Sequence, residues 1–167
     1  MRSMFCLFAL ALVTVAAQAA NTVAVQRRTP YSEDAMIAGK IKRECTIDTQ
    51  MPGFIAEYGK NEHIDVQLVD KADKDMQGRV LLLKIIDARS SGNAFIGHHK
   101  SMTVSGELYQ DGKMIGSFKG RRNSMGGVFA GFKGSCSVLG RTAKALGEDI
   151  ARWLAHPGEN DMLGDLH

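Results

Sequence analysis

Two cysteines constrain this chain more than any other feature. The first nineteen residues read as a secretory leader. Arg2 gives a positive start, Met4 to Ala17 carry no charge, and Ala17-Gln18-Ala19 is a small-x-small cleavage site. The cut is expected after Ala19, with Ala20 as the alternative site and an uncleaved anchor as the competing reading. Cleavage removes Cys6 and leaves Cys45 and Cys136. No Cys stands immediately after the cut, so a lipid-anchored amino terminus is not expected. In an oxidising compartment an even pair reads as a disulfide. A zinc site lacks matching histidine spacing, and a reactive thiol pair would show C-x-x-C, which is absent. The bridge closes a loop of about 90 residues, for which chain entropy gives about 4–5 kcal/mol of stabilisation.

The chain then reads as one domain over 20–158, followed by a polar tail at 159–167 expected to fray. No later stretch approaches the roughly 20 apolar residues needed to span a bilayer. Lys and Arg number 21 against 18 Asp and Glu, a net charge of +3 that falls to +2 without Arg2. That balance, together with export, argues against nucleic acid as a partner. Any electrostatic role must come from local clustering.

Periodicity supplies the elements. "TVAV" is a short first strand. Ile47, Met51, Phe54, Ile55 and Tyr58 recur at helical spacing, with Asp48 or Thr49 to cap the start, Pro52 in the first turn and Gly59 at the exit. "HIDVQLVD" alternates as a strand, and "RVLLLKIIDA" reads as a central strand covered on more than one side. Leu139, Thr142, Ala143, Leu146, Ile150, Trp153 and Leu154 form the stripe of a last helix, with Ser135 at its start and His156-Pro157-Gly158 at its end. Between them lies a hairpin turning at Asp111-Gly112. A three-residue turn, Gln110-Asp111-Gly112, would pair Leu108 with Met114 and Val104 with Phe118, leaving one face apolar and setting Gly106 against Gly116.

These elements predict an α+β fold. It is a two-layer sandwich whose mostly antiparallel sheet carries two helices packed on one face. The expected core comprises Ile47, Phe54, Ile55, Ile64, Val66, Leu81, Leu83, Ile85, Val104, Leu108, Phe118, Leu146, Ile150 and Trp153.

Sites of known chemistry fail on spacing. In "SFKGRRNSMGGVFAGFKGSC", Gly126 and Gly131 have the gap of a Walker loop, but Phe132 stands where Lys is required and Lys133 comes one place late. "DKADKDMQG" resembles half of an EF-hand loop, yet its twelfth position is Lys84, a cation where calcium needs a carboxylate. His98 and His99 would point to opposite faces of a strand. No G-x-S-x-G elbow occurs. No cofactor, metal or catalytic residue is assigned. Two readings of the glycine-rich stretch stay open. It is either a structural connection delivering Cys136 to Cys45, pinned by Phe129 and Phe132, or an anion-binding loop built from Lys119, Arg121, Arg122 and Lys133.

Glu44-Cys45, "GHHKSMTV", "FKGRRNSMGG", "GFKGSC" and "ALGEDIARWLAHP" together resemble a family of uncharacterised proteobacterial exported proteins of unknown function. The resemblance covers roughly Cys45 to Pro157, and "KGSC" and "DIARWL" are its most specific pieces. Where members carry a bulkier stretch with Gly and Trp, this chain has Phe95-Ile96-Gly97-His98-His99. More loosely, the element order is similar to small α/β domains of envelope assembly lipoproteins, such as the curli-secretion lipoprotein and the penicillin-binding-protein activators. The resemblance implies a periplasmic protein and supplies no activity. A non-catalytic accessory or binding protein for an envelope component, an envelope protein or an anionic glycan, is the expectation. The alternative is a small cell-wall-glycan hydrolase or an inhibitor of a periplasmic enzyme.

Overall fold

The structure is a computed structural model that describes residues 21–93, 97–124 and 134–166. Residues 1–20, 94–96 with Phe95 and Ile96, 125–133 with Phe129, Phe132 and Lys133, and 167 lie outside the described residues.

Alternation sets the strands. In β1 (Thr22–Gln26) Val23 and Val25 turn inward. β2 (Asp65–Val69), β3 (Arg79–Asn93), β4 (Gly97–Gln110) and β5 (Lys113–Ser124) follow, and β6 (Asp161–Gly164) closes the chain. They form one sheet in the order β2-β1-β3-β4-β5-β6. The central β3, β4 and β5 pair antiparallel, and β1–β2, β1–β3 and β5–β6 pair parallel. Three helices accompany the sheet: α1 (Gly39–Glu44), α2 (Ile47–Gly59) and α3 (Ser135–Ala155). The fold is the expected α+β sandwich, and α1 is an addition. Six residues are too few to show a period, and Ile41 is its one buried side chain.

Both long helices lean on the same face of the sheet. Met51, Ile55, Leu139, Leu146, Ile150 and Leu154 are fully buried against Leu81, Ile85, Met102 and Leu108. Burying a side chain of this size contributes roughly 1.5–3 kcal/mol. Phe54 and Val66, expected in the core, are only partly buried at its margin. Phe118 meets Trp153 of α3 edge to face, with centroids 4.7 Å apart. Gly106 makes room for that ring, because a Cβ there would collide with Phe118. Cys45 and Cys136 are bonded, with Cα atoms 4.9 Å apart, and tie the residue that caps the end of α1 to the first turn of α3.

The hairpin corrects the expected register. Asp111 and Gly112 both have positive φ, 50° and 81°, so the turn has two residues and Gln110 pairs with Lys113. An Asp-Gly pair in this conformation matches the right-handed twist of the strands. Leu108 then faces Gly116, not Met114, because β5 bulges at Ile115. Val104 faces Gly120, and Gly106 faces Phe118. One extra residue reconciles the preferred turn with an apolar inner face. A second bulge, at Ile86, lies between the pairs Ile85–Val104 and Asp87–Thr103.

Three local expectations also change. Thr46 holds the N-cap position of α2, while the Asp48 carboxylate accepts from the Arg28 guanidinium at 3.0 Å. Gly134 precedes α3, which begins at Ser135. Part of the segment expected to fray is strand β6, whose pattern is too short to read from sequence. Asp161 anchors its start by accepting from the Trp153 indole N–H at 2.8 Å and the Gly158 N–H at 2.9 Å.

Candidate anion-binding face

The helices cover one side of the sheet, so alternate residues of β3, β4 and β5 point away from them. Before its bulge, β3 turns Leu82 and Lys84 to this side. After Ile86 the phase switches, and Asp87 and Arg89 face outward while Ala88 joins the core. The pairing builds cross-strand rows: Lys84–Ser105–Lys119, Asp87–Thr103–Arg121 and Arg89–Ser101–Asn123. After β1, the chain returns to β3 at Tyr31, where the Ile85 N–H donates to the Pro30 carbonyl and the Ser32 N–H donates to the Ile85 carbonyl, each at 2.9 Å. This return lays Asp34 and Met36 beside the rows.

The result is a depression of about 310 Å³, lined by Asp34, Met36, Ile86, Asp87, Arg89, Thr103, Lys119, Arg121 and Leu166. The Arg89 Nε donates to Asp87 at 2.8 Å. The Arg121 Nε donates to the neutral amide oxygen of Asn123 at 3.2 Å. Among the described residues neither Lys119 nor Arg121 has a carboxylate within ion-pair distance. Their positions two apart on one strand separate the side-chain roots by about 7 Å. Thr103 is buried in the lining, and in the next row the buried Ser101 hydroxyl has no hydrogen-bond partner among the described residues.

Arg122 stands on the other face. It pairs with Met102 and reaches α3, where its Nε and Nη2 donate to the two oxygens of Asp149, each at 2.7 Å. Its Nη1 donates to Asp165 at 3.1 Å, and Arg152 also donates to Asp149, at 2.8 Å. Its hydrogen bonds to the Asp149 carboxylate hold the Arg122 guanidinium protonated still more firmly than a free arginine, against its partial burial. Burial alone would raise the Asp165 carboxyl. The Asn123 backbone and side-chain N–H groups, together with Arg122, hold it below the usual carboxylate range. Arg122 is thus a structural bridge between sheet, helix and β6. Of the four expected cations, the structure brings Lys119 and Arg121 together, turns Arg122 away, and leaves Lys133 outside the described residues.

Asp87 and Arg89 join this depression without a sequence signal, because the Ile86 bulge decides which side they face, whereas Thr103 follows from the alternation of β4. His98 and His99 open β4 opposite Gly92 and Ser91. In the EF-hand-like stretch, the Asp75 N–H donates to the Asp73 carboxylate at 3.0 Å, a local turn. Among the described residues no three His, Cys, Asp or Glu gather to hold a metal ion, and no helix is long and apolar enough to cross a membrane.

No family model matches the chain, and no curated protein matches it. Among solved structures, it is similar to a minor lipoprotein from Acinetobacter baumannii, with 10% identity over 81% of this chain and 93% of that one and a TM-score of 0.44. It is also similar to the PelC dodecamer from Paraburkholderia phytofirmans, with 14% identity over 78% of this chain and 88% of that one and a TM-score of 0.48. The likeness is a loose one, in the course of the chain.

Proposed function

We propose that the protein is an exported, non-catalytic accessory protein of the periplasm that binds an envelope component through an anionic group. The partner is an envelope protein or an anionic glycan. The observation that carries this reading is the position of Lys119 and Arg121. Both sit on the helix-free face, in one depression, without a carboxylate partner among the described residues. An anion seated there would gain charge-assisted hydrogen bonds, each contributing roughly 1.5–3 kcal/mol where water is excluded. Arg89 stands beside them, already engaged by Asp87. The disulfide and the leader-like start support an oxidising compartment. The exported family that the sequence resembles belongs to the same reading.

The test is titration of the mature protein with polygalacturonate and with short acidic peptides at increasing salt. Association with one of them that weakens as salt rises is expected. No association at low salt with either probe would overturn the reading.

A further inference from the structure

The anion-binding reading leaves open what carries the anionic group, and the apolar side chains of the same face bear on that question. Three large apolar side chains stand out as exposed: Met36 at 84%, Met114 at 42% and Met162 at 48%. All three lie on the helix-free side. Met36 lines the depression with Lys119 and Arg121. Met162 is the cross-strand partner of Lys119. Met114 is the partner of Tyr109 near the hairpin tip. Ile86 and Leu166 add half-buried apolar surface to the same depression. Thioether side chains are flexible and polarisable, so they fit apolar partners of varied shape.

Resting on that reading, we propose that the helix-free face docks an acidic protein segment that carries apolar side chains beside its carboxylates. Lys119 and Arg121 would meet the carboxylates, and Met36 and Met162 would cover the apolar neighbours. A sugar polymer fits less well. Among the described residues of β3, β4 and β5 on this face, Tyr109 supplies the phenol ring and sits near the hairpin end, with its hydroxyl donating to Glu107 at 2.8 Å. Among the described residues the depression offers sugar rings no aromatic platform. A lipid surface fits less well too. Lys84, Arg89, Lys119 and Arg121 share the face with Asp34, Asp87 and Glu107, whereas attraction to anionic lipid grows by about 1 kcal/mol per cation and needs an excess of them. Interspersed charges of both signs suit a partner whose own charges are fixed in position.

The experiment measures binding of the mature protein by fluorescence anisotropy to two short synthetic peptides, one of aspartate, glutamate and leucine and one with serine replacing leucine. Polygalacturonate and phosphatidylglycerol vesicles are the competing arms. The leucine peptide is expected to bind about tenfold more tightly than the serine peptide, a difference of about 1.4 kcal/mol. Met36→Ser with Met162→Ser should erase that difference, and circular dichroism should show the fold kept. Equal binding of the two peptides, lost in Lys119→Glu with Arg121→Glu, would overturn this inference and leave the anion reading standing. Tighter binding to the glycan or the vesicles than to either peptide would overturn it in the same way. Binding to no probe at all would overturn both.

Discussion

Arg122 and Asp149 form a two-pronged ion pair, Nε and Nη2 each 2.7 Å from one carboxylate oxygen, and that pair locks β5 to α3. The neighbouring Arg121 points to the opposite face. Adjacent arginines thus have separate roles, one holding the sheet to the helix and one facing the depression.

Asp149→Ala should be costly. The Asp149 side chain is 8% exposed, and its loss leaves Arg122 and Arg152 without their shared acceptor. Arg122 keeps some solvent contact and its bond to Asp165, which lowers the penalty. A loss on the order of 2 kcal/mol is expected by urea denaturation. A change below about 0.5 kcal/mol would show that water replaces the carboxylate freely.

The C-terminal strand should loosen in acid. Because the folded Asp165 carboxyl lies below its ordinary value, its contribution is complete above the unfolded pKa of about 4 and disappears as pH falls through the folded value. Hydrogen exchange at β6 should therefore speed up in mild acid more than exchange at the centre of β4. Asp165→Asn should weaken β6 at neutral pH and remove that part of the pH dependence. Identical pH profiles for wild type and variant would assign the acid response to other groups.

How much of this was legible in the chain depends on the length of the pattern. α2 and α3 repeat their apolar stripe over 13 and 21 residues, so their existence and inner faces could be read directly. The disulfide could be read because only two cysteines follow the leader-like start, and an even pair in a chain expected to be exported reads as a bridge. The bulges at Ile86 and Ile115 could not. A single inserted residue leaves no mark on composition, yet it reverses every side chain beyond it. The first bulge hides Asp87 and Arg89 from a sequence reading of the site. For Arg121 and Arg122 the rule that neighbours on a strand diverge was the available signal, and the structure follows it. β6 is four residues long and pairs with a strand about 40 residues earlier, where no local pattern reports it.

Reducing the Cys45–Cys136 bond should destabilise the domain by about 4–5 kcal/mol, since it releases a loop of 91 residues in the unfolded chain. Denaturation of the Cys45→Ala, Cys136→Ala double variant, followed by the fluorescence of the single tryptophan, Trp153, measures it. A loss under about 1 kcal/mol would mean that the unfolded chain is already compact there.

The central claim is that the helix-free face binds through Lys119 and Arg121 while Arg122 serves the fold. Lys119→Glu with Arg121→Glu tests it most directly, because both side chains lie outside the core and the charge reversal leaves the Arg122–Asp149 pair in place. The measurement is the affinity of this double variant and of wild type for the acidic leucine-bearing peptide, with thermal stability recorded alongside. The account predicts a loss of affinity of about tenfold or more with stability nearly unchanged. Undiminished affinity in a folded double variant would contradict it.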